Sequence, residues 1–221
     1  MKKIIVLVLC LILGSTLLAG CSGNGESFTQ KNYTADGGQI KEICIDVRDR
    51  QIEVALSADN QIHIEYSESS KEYYDISASD SGVLTMTAAE NKQWTDYIGG
   101  KTAASYRKLS LQVPEILLTT LKLSTTNEDI LLPALTVSGN VELTSTGGNI
   151  NFEKLNVGNS IIISAKNGDI SGTVIGSYDE YTISCNVKKG ESNLPTEKSG
   201  GEKMLNVSNN NGDIAIEFVK E

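Results

Sequence analysis

One short turn is written four times along the second half of this chain, and it limits the fold more than any other feature. The copies are Asn127-Glu128-Asp129-Ile130, Gly147-Gly148-Asn149-Ile150, Asn167-Gly168-Asp169-Ile170 and Asn211-Gly212-Asp213-Ile214. Each follows a run of alternating apolar residues: Leu121/Leu123, Val141/Leu143, Ile161/Ile163 and Leu205/Val207. A fifth run, Tyr181/Ile183, precedes Gly190-Glu191-Ser192-Asn193-Leu194, read as a degenerate copy lengthened by four residues with Leu194 in the isoleucine position. Apolar residues two apart place one face of a strand inward. Asn-Gly supplies the positive φ of a tight turn without steric cost. A unit of about twenty residues cannot bury a core alone, so successive units must stack in register. The expected fold is all-β, a β-solenoid or β-helix-like stack with the five strands in one parallel column and aligned Leu, Val and Ile inside.

The first half is equally strand-rich. Ile43/Ile45/Val47, Ile52/Val54, Ile62/Ile64/Tyr66, Tyr74/Ile76, Leu84/Met86 and Leu109/Leu111/Val113 all alternate. No clean copy of the turn is evident there. The stretch from Ala88 to Arg107, with the single tryptophan Trp94, reads as an irregular excursion carrying a short helix.

The N-terminus gives an address. Lys2 and Lys3 lead an unbroken apolar run from Ile4 to Leu13, short for a bilayer span and flanked as a secretory signal is. Leu18-Ala19-Gly20-Cys21 follows and resembles the lipobox of bacterial lipoproteins. That resemblance implies cleavage before Cys21, a diacylglyceryl group on its sulfur and a lipid-anchored protein on the extracytoplasmic face of the cell membrane. Two acyl chains make a stable anchor where one is marginal. The resulting division is a signal peptide over 1–20, lipidated Cys21 with a flexible tether to 38, an N-terminal β part over 39–114 and a C-terminal β-repeat part over 115–221.

The strand ending in Leu109-Ser110-Leu111-Gln112-Val113-Pro114, the run Leu121-Lys122-Leu123-Ser124-Thr125-Thr126 and the ordered Asn-Gly-Asp-Ile copies together resemble the bacterial putative-adhesin family of β-strand-repeat envelope proteins. The resemblance covers most of Gln39 to Phe218. It implies a non-catalytic binding or structural module near the membrane and carries over no catalytic residues and no cofactor. Glu128 in place of glycine and the lengthened fourth unit depart from the pattern.

Composition narrows the chemistry. Without Lys2 and Lys3, 17 basic residues stand against 28 acidic ones, a formal charge of -11, which does not suit a nucleic-acid partner. The single histidine, His63, lies on an outward strand phase and excludes sites that need two imidazoles. The turn residues Asp129, Asn149, Asp169, Asn193 and Asp213 should line one edge. Asp and Asn there bond neighbouring backbone; a ligand or calcium edge is the alternative, since hard cations favour oxygen ligands. Cys44 and Cys185 point to opposite sides of their strands and read as separate thiols. Tyr66, Tyr73, Tyr74, Tyr97 and Tyr106 with Trp94 read as strand-face packing or an aromatic surface for a glycan or protein. The carboxylates Asp179/Glu180 leave a carbohydrate-active β-helix enzyme as a rival reading. An accessory of an envelope-stress or transport system is the other rival. The partners expected are membrane lipid through Cys21 and a local envelope protein or polymer.

Overall fold

The computed structural model describes residues 20–21, 26–92, 102–114 and 118–220. The signal segment up to residue 19, Trp94 and Tyr97 lie outside them. In chain order the strands are β1 Gly20–Cys21, β2 Ser27–Asp36, β3 Glu42–Asp46, β4 Gln51–Leu56, β5 Gln61–Glu68, β6 Glu72–Ala78, β7 Val83–Glu90, β8 Lys108–Val113 and β9 Leu118–Thr125. They continue as β10 Ile130–Leu132, β11 Leu135–Ser145, β12 Ile150–Val157, β13 Ser160–Asn167, β14 Ile170–Ile175, β15 Tyr181–Lys189, β16 Glu197–Lys198, β17 Lys203–Asn211 and β18 Ile214–Val219. Single 3-10 turns at Ala104–Tyr106 and Tyr178–Glu180 are the helical elements among the described residues. The chain is all-β.

The apolar alternation becomes two parallel columns. The first runs β7-β3-β9-β11-β13-β17-β15, with Leu84, Ile43, Leu121, Val141, Ile161, Leu205 and Ile183 side by side. The second runs β8-β4-β10-β12-β14-β18, aligning Leu109, Ile52, Ile130, Ile150, Ile170 and Ile214. A short third set joins Leu118, Val137 and Val157. Nearly every one of these residues is fully buried, in one continuous core. Each such side chain contributes about 1.5–3 kcal/mol when removed from water. The alternation is strict: in β13, Ile161 and Ile163 are buried while Ile162 between them is 39% exposed.

Four expectations change. First, the rungs do not stack in chain order. The last strand of the column, β17, inserts between β13 and β15, so the Tyr181 unit, fourth in chain order, is the outermost rung and the Leu205 unit, fifth in chain order, lies inside. Second, the register of the fourth copy starts at Ile183, opposite Leu205, and Ser192 stands beside Ile214 where the isoleucine was expected. The nine-residue offset from strand to turn is intact there, and Leu194 does a different job. Residues 190–201 fold over the open end of the stack: Leu194 is buried, the Asn193 amide bonds both Ile216 N and Ile216 O at 3.0 and 2.8 Å, and Lys198 Nζ donates to Tyr181 O at 2.8 Å. The end of a stacked sheet needs such sealing, because an open end exposes core and unpaired backbone.

Third, the N-terminal half does hold a copy of the turn. Ile43 and Ile52 keep the nine-residue offset, β3 stacks on β9 and β4 on β10, so both columns run across the 114/115 boundary. Asp49 takes the positive φ, 51°, that Asn-Gly provides elsewhere. Aspartate tolerates that region because its short side chain bonds locally. Fourth, the tether is not free beyond Glu26. Ser27–Asp36 forms β2, antiparallel to β5, which is antiparallel to β8, and Phe28 is buried with its ring stacked on Tyr106 at 5.0 Å. The excursion after Ala88 also shrinks, since β7 continues to Glu90.

Ile163→Asp should cost about 4 kcal/mol or more, because it buries an unpaired charge, while Lys166→Asp on the exposed side should change stability little. Equilibrium urea unfolding of both variants checks the inward and outward assignment.

Candidate binding surface

The turns meet along one edge, and their polar side chains are mostly occupied by the stack itself. Asn149 N donates to Asp129 Oδ1 at 2.7 Å, Asp169 N to Asn149 Oδ1 at 2.8 Å, Asp213 N to Asp169 Oδ1 at 2.9 Å and Glu191 N to Asp213 Oδ1 at 2.8 Å. Each residue's carbonyl in turn accepts from a neighbouring rung, as Asn149 O does from Ile130 N and Asp169 O from Ile150 N, both at 2.9 Å. Asp129, Asn149, Asp169 and Asp213 lie along this edge, and Glu191, not Asn193, is the next member. Among the described residues no group of three or more His, Cys, Asp or Glu is arranged to hold a metal ion.

Glycine recurs in the turn because the rungs touch there. At Gly168 and Gly212 φ is +140° and +138°, and a Cβ would lie 2.4 Å from Gly148 O and 2.3 Å from Gly168 O respectively. Glu128, the departure from the pattern, turns its carboxylate to Arg107. One buried polar position also repeats at the corner. Thr125 Oγ1 donates to Arg50 O at 2.7 Å, Ser145 Oγ to Glu128 O at 3.1 Å and Asn209 Nδ2 to Gly168 O at 2.8 Å. These residues satisfy turn carbonyls that the sheet ladder cannot reach. They were missed as a set because their residue types differ; their common spacing, four residues after the first inward residue of the strand, is the signal.

The outward side of the first column is different. Across the seven strands the row Thr87, Asp46, Ser124, Thr144, Ser164, Ser208 and Asn186 presents one short polar side chain per rung. Ser164 and Ser208 bond each other at 3.1 Å. A parallel row carries Thr85, Cys44, Lys122, Glu142, Ile162, Asn206 and Ser184, with Lys122 paired to Glu142 at 2.9 Å. Between them lies a shallow groove of about 290 Å³ bordered by Asp46, Thr87, Lys122, Ser124 and Thr144. Cys44 borders it as well; burial pushes its thiol pKa up, so it is not an activated nucleophile. Cys185 is buried, and both thiols are free.

The remaining residues singled out in the sequence do not converge. His63 bonds Asp59 at 3.0 Å and Thr34 at 3.3 Å near the surface. The Asp59 carboxyl is held below its usual range by hydrogen bonds from Ser57, Gln61 and His63. Glu180 caps the 3-10 turn at Ser177. Tyr66 and Tyr74 pack edge to face at 5.2 Å, and burial pushes the Tyr66 phenol up to about 12.

Since the turn-edge oxygens serve the backbone, Asp169→Ala should cost about 1 kcal/mol, one hydrogen bond, and millimolar calcium should leave the melting temperature unchanged. A calcium-dependent rise that Asp169→Ala and Asp213→Ala abolish would make the edge a metal site instead.

A search of curated proteins yields no match. Residues 108–217 match the family described as Toastrack DUF4097, from the first residue of β8 to the middle of β18. In three dimensions the chain is similar to a putative cell adhesion protein from Clostridium sporogenes, with a TM-score of 0.63 at 12% identity over 86% of this chain and 99% of that one. Putative adhesins from Bacteroides fragilis and Parabacteroides distasonis align with TM-scores of 0.34 and 0.32 at 12% and 16% identity, over 86% and 87% of this chain and 97% of each of theirs. The resemblance drawn from the strands and turns therefore holds, and residues 108–217 form a Toastrack DUF4097 domain.

Proposed function

We propose that this chain is an extracytoplasmic lipoprotein, anchored by acyl chains on Cys21, whose body is a short β-solenoid acting as a non-catalytic binding module. The observation that carries the reading is the outward face of the first column, where short polar groups recur once per rung. At an inter-strand spacing of about 4.8 Å the seven strands span roughly 29 Å. Such a surface offers many equivalent weak contacts to an extended polymer or a flat protein face. An enzyme gathers its polar groups at one pocket; here they are spread along the stack. The match in fold to a putative cell adhesion protein supports the same reading. The partner is local: an envelope protein or a polymer close to the membrane.

Two experiments test this. Cys21→Ala should leave an uncleaved precursor or release the protein from membranes; a mutant that still fractionates as mature lipidated protein refutes the anchor. Ser164→Arg, on the outward face of the first column, should abolish the crosslinked complex captured from intact cells without lowering the melting temperature, whereas Glu217→Arg, exposed on β18 in the second column, should leave it intact. Equal capture by both variants refutes the binding face.

A further inference from the structure

The end of the stack opposite the cap holds a charged cleft that the repeat does not require. It is formed where the turn Arg48-Asp49-Arg50 meets the start of β6 and the end of β7. Arg48, Arg50, Glu72, Tyr73, Tyr74, Glu90 and Lys92 are the polar and aromatic groups that line it with Asp49, around a volume of about 100 Å³. That is several times the space one water needs.

Arg50 is the unusual member. It is 2% exposed, yet its Nε has no acceptor. Its other nitrogens donate to Asp49 O at 3.1 Å, more weakly to Arg48 O at 3.4 Å, and to Glu72 Oε2 at 2.5 Å. Glu72 also takes Lys92 Nζ at 2.5 Å and Thr102 Oγ1 at 3.1 Å. Burial works to raise the Glu72 carboxyl, but the bonds from Lys92 and Arg50 outweigh it and hold the group below its usual range. One ionised carboxylate thus sits between two cations. Asp49 does not add a second, because its Oδ1 faces the next turn and accepts from Asn127 Nδ2 at 2.5 Å. At the rim Arg48 is largely exposed and meets Glu90 at 2.8 Å. Tyr73 stands beside it, 38% exposed. Over the whole lining three cations, Arg48, Arg50 and Lys92, stand against three carboxylates, Asp49, Glu72 and Glu90, so the cleft is balanced in a chain that is otherwise strongly acidic.

The position of the cleft narrows what it meets. Cys21 lies opposite Ser27 in the β1–β2 pairing. The adjoining residue, Glu26, bonds the Ser69 hydroxyl, and that same hydroxyl accepts from Glu72 N at 3.0 Å. The anchoring residue and the cleft therefore share one end of the molecule.

We infer that this cleft binds a phosphate ester at the membrane surface, its oxygens accepting from Arg48 and the unfilled Arg50 donor while Tyr73 packs against the attached glycerol or sugar. The inference rests on the anchor at Cys21 for the source of the ligand, and not on the outward face. Arginine suits the role because its planar fork matches phosphate oxygens and stays charged.

The test uses the full-length protein in detergent micelles, titrated with glycerol phosphate by calorimetry. Saturable binding is expected, weakened about tenfold or more by Arg48→Ala through loss of a charge-assisted bond and unchanged by Lys166→Ala. Because Arg50→Met removes a buried ion pair and threatens the fold, Tyr73→Ala at the rim is the second variant and should also weaken binding. Absence of saturable binding, or equal affinity in wild type and Arg48→Ala, overturns the inference. Competition against glycerol phosphate by phosphatidylglycerol added to the micelles, but not by an uncharged glycolipid, identifies a lipid headgroup; binding of glycerol phosphate without such competition keeps the site and assigns it a soluble ester. Capture through the outward face, lost in Ser164→Arg, is unaffected by Arg48→Ala, so the two proposals fail separately.

Discussion

Everything in this molecule depends on like residues lying on like residues across the inter-strand spacing of a parallel sheet. Val141 on Leu121 and Ile161 on Val141 bury a column only if every turn spans the same path, because a one-residue slip would move the whole apolar set to the solvent side. The turn therefore carries the constraint. Gly168 and Gly212 let successive corners approach to contact, while the Oδ1 of Asp129, Asn149, Asp169 and Asp213 each lock the following rung's amide. The same oxygen that could have bound a cation is the register pin. Repetition of Asp and Asn at that position has a structural cause, and the proposed binding surface lies elsewhere, on the outward face of the first column.

The alternation of apolar residues made the strands and their inward faces legible, down to Ile161 and Ile163 buried around an exposed Ile162. The stacking order was not legible, because a 44-residue gap between Ile170 and Ile214 fits an inserted rung as well as a skipped one. What separates the two is the need to seal an end, and that depends on Leu194, Asn193 and Lys198 meeting Ile216 and Tyr181 in space. The N-terminal rung was hidden because Asp49 replaces the Asn-Gly signal, although the nine-residue spacing from Ile43 to Ile52 was present. Strand β2 was hidden because Ser27–Asp36 sends only Phe28 fully into the core, so no period of two could be read. The cleft could not be read at all: its parts come from 48–50, 72–74 and 88–92, each unremarkable as sequence.

The antiparallel strands explain why the two ends differ. At the far end β15 is edged by the two-residue β16 and covered by 190–201. At the near end β6 adds to β7, and β5 then β2 add to β8, so the chain enters the sheet through its outermost strand. An edge of mixed charge such as Lys31 with Glu68, 3.5 Å apart on β2 and β5, discourages pairing with another sheet. Burying Arg50 at this end is costly unless its partner is held, and Lys92 and Thr102 from two other segments hold Glu72, which pairs with Arg50. The hairpin β6–β7 is tied to the first turn by that convergence, so the charged cluster closes the near end as Leu194 closes the far one.

The geometry of entry also bears on what adhesion can mean for this chain. With β2 beginning at Ser27, only residues 22–26 separate the proposed anchor from the sheet, and five residues reach at most about 18 Å even when fully extended. The stack adds roughly 29 Å along its columns. Taken end to end these set an upper bound of about 47 Å between the lipid surface and the capped rung. A formal charge of -11 after removal of Lys2 and Lys3 keeps the body off anionic lipid as a whole. The arginine-bearing cleft at the near end, where acidic and basic side chains balance, is the exception, and it shares that end with the proposed anchor. The outward polar face rises from that end along the stack axis and meets whatever fills the first few nanometres above the membrane. A receptor on another cell lies beyond such a reach wherever a thick wall intervenes, so the proposed binding would act within the cell's own envelope.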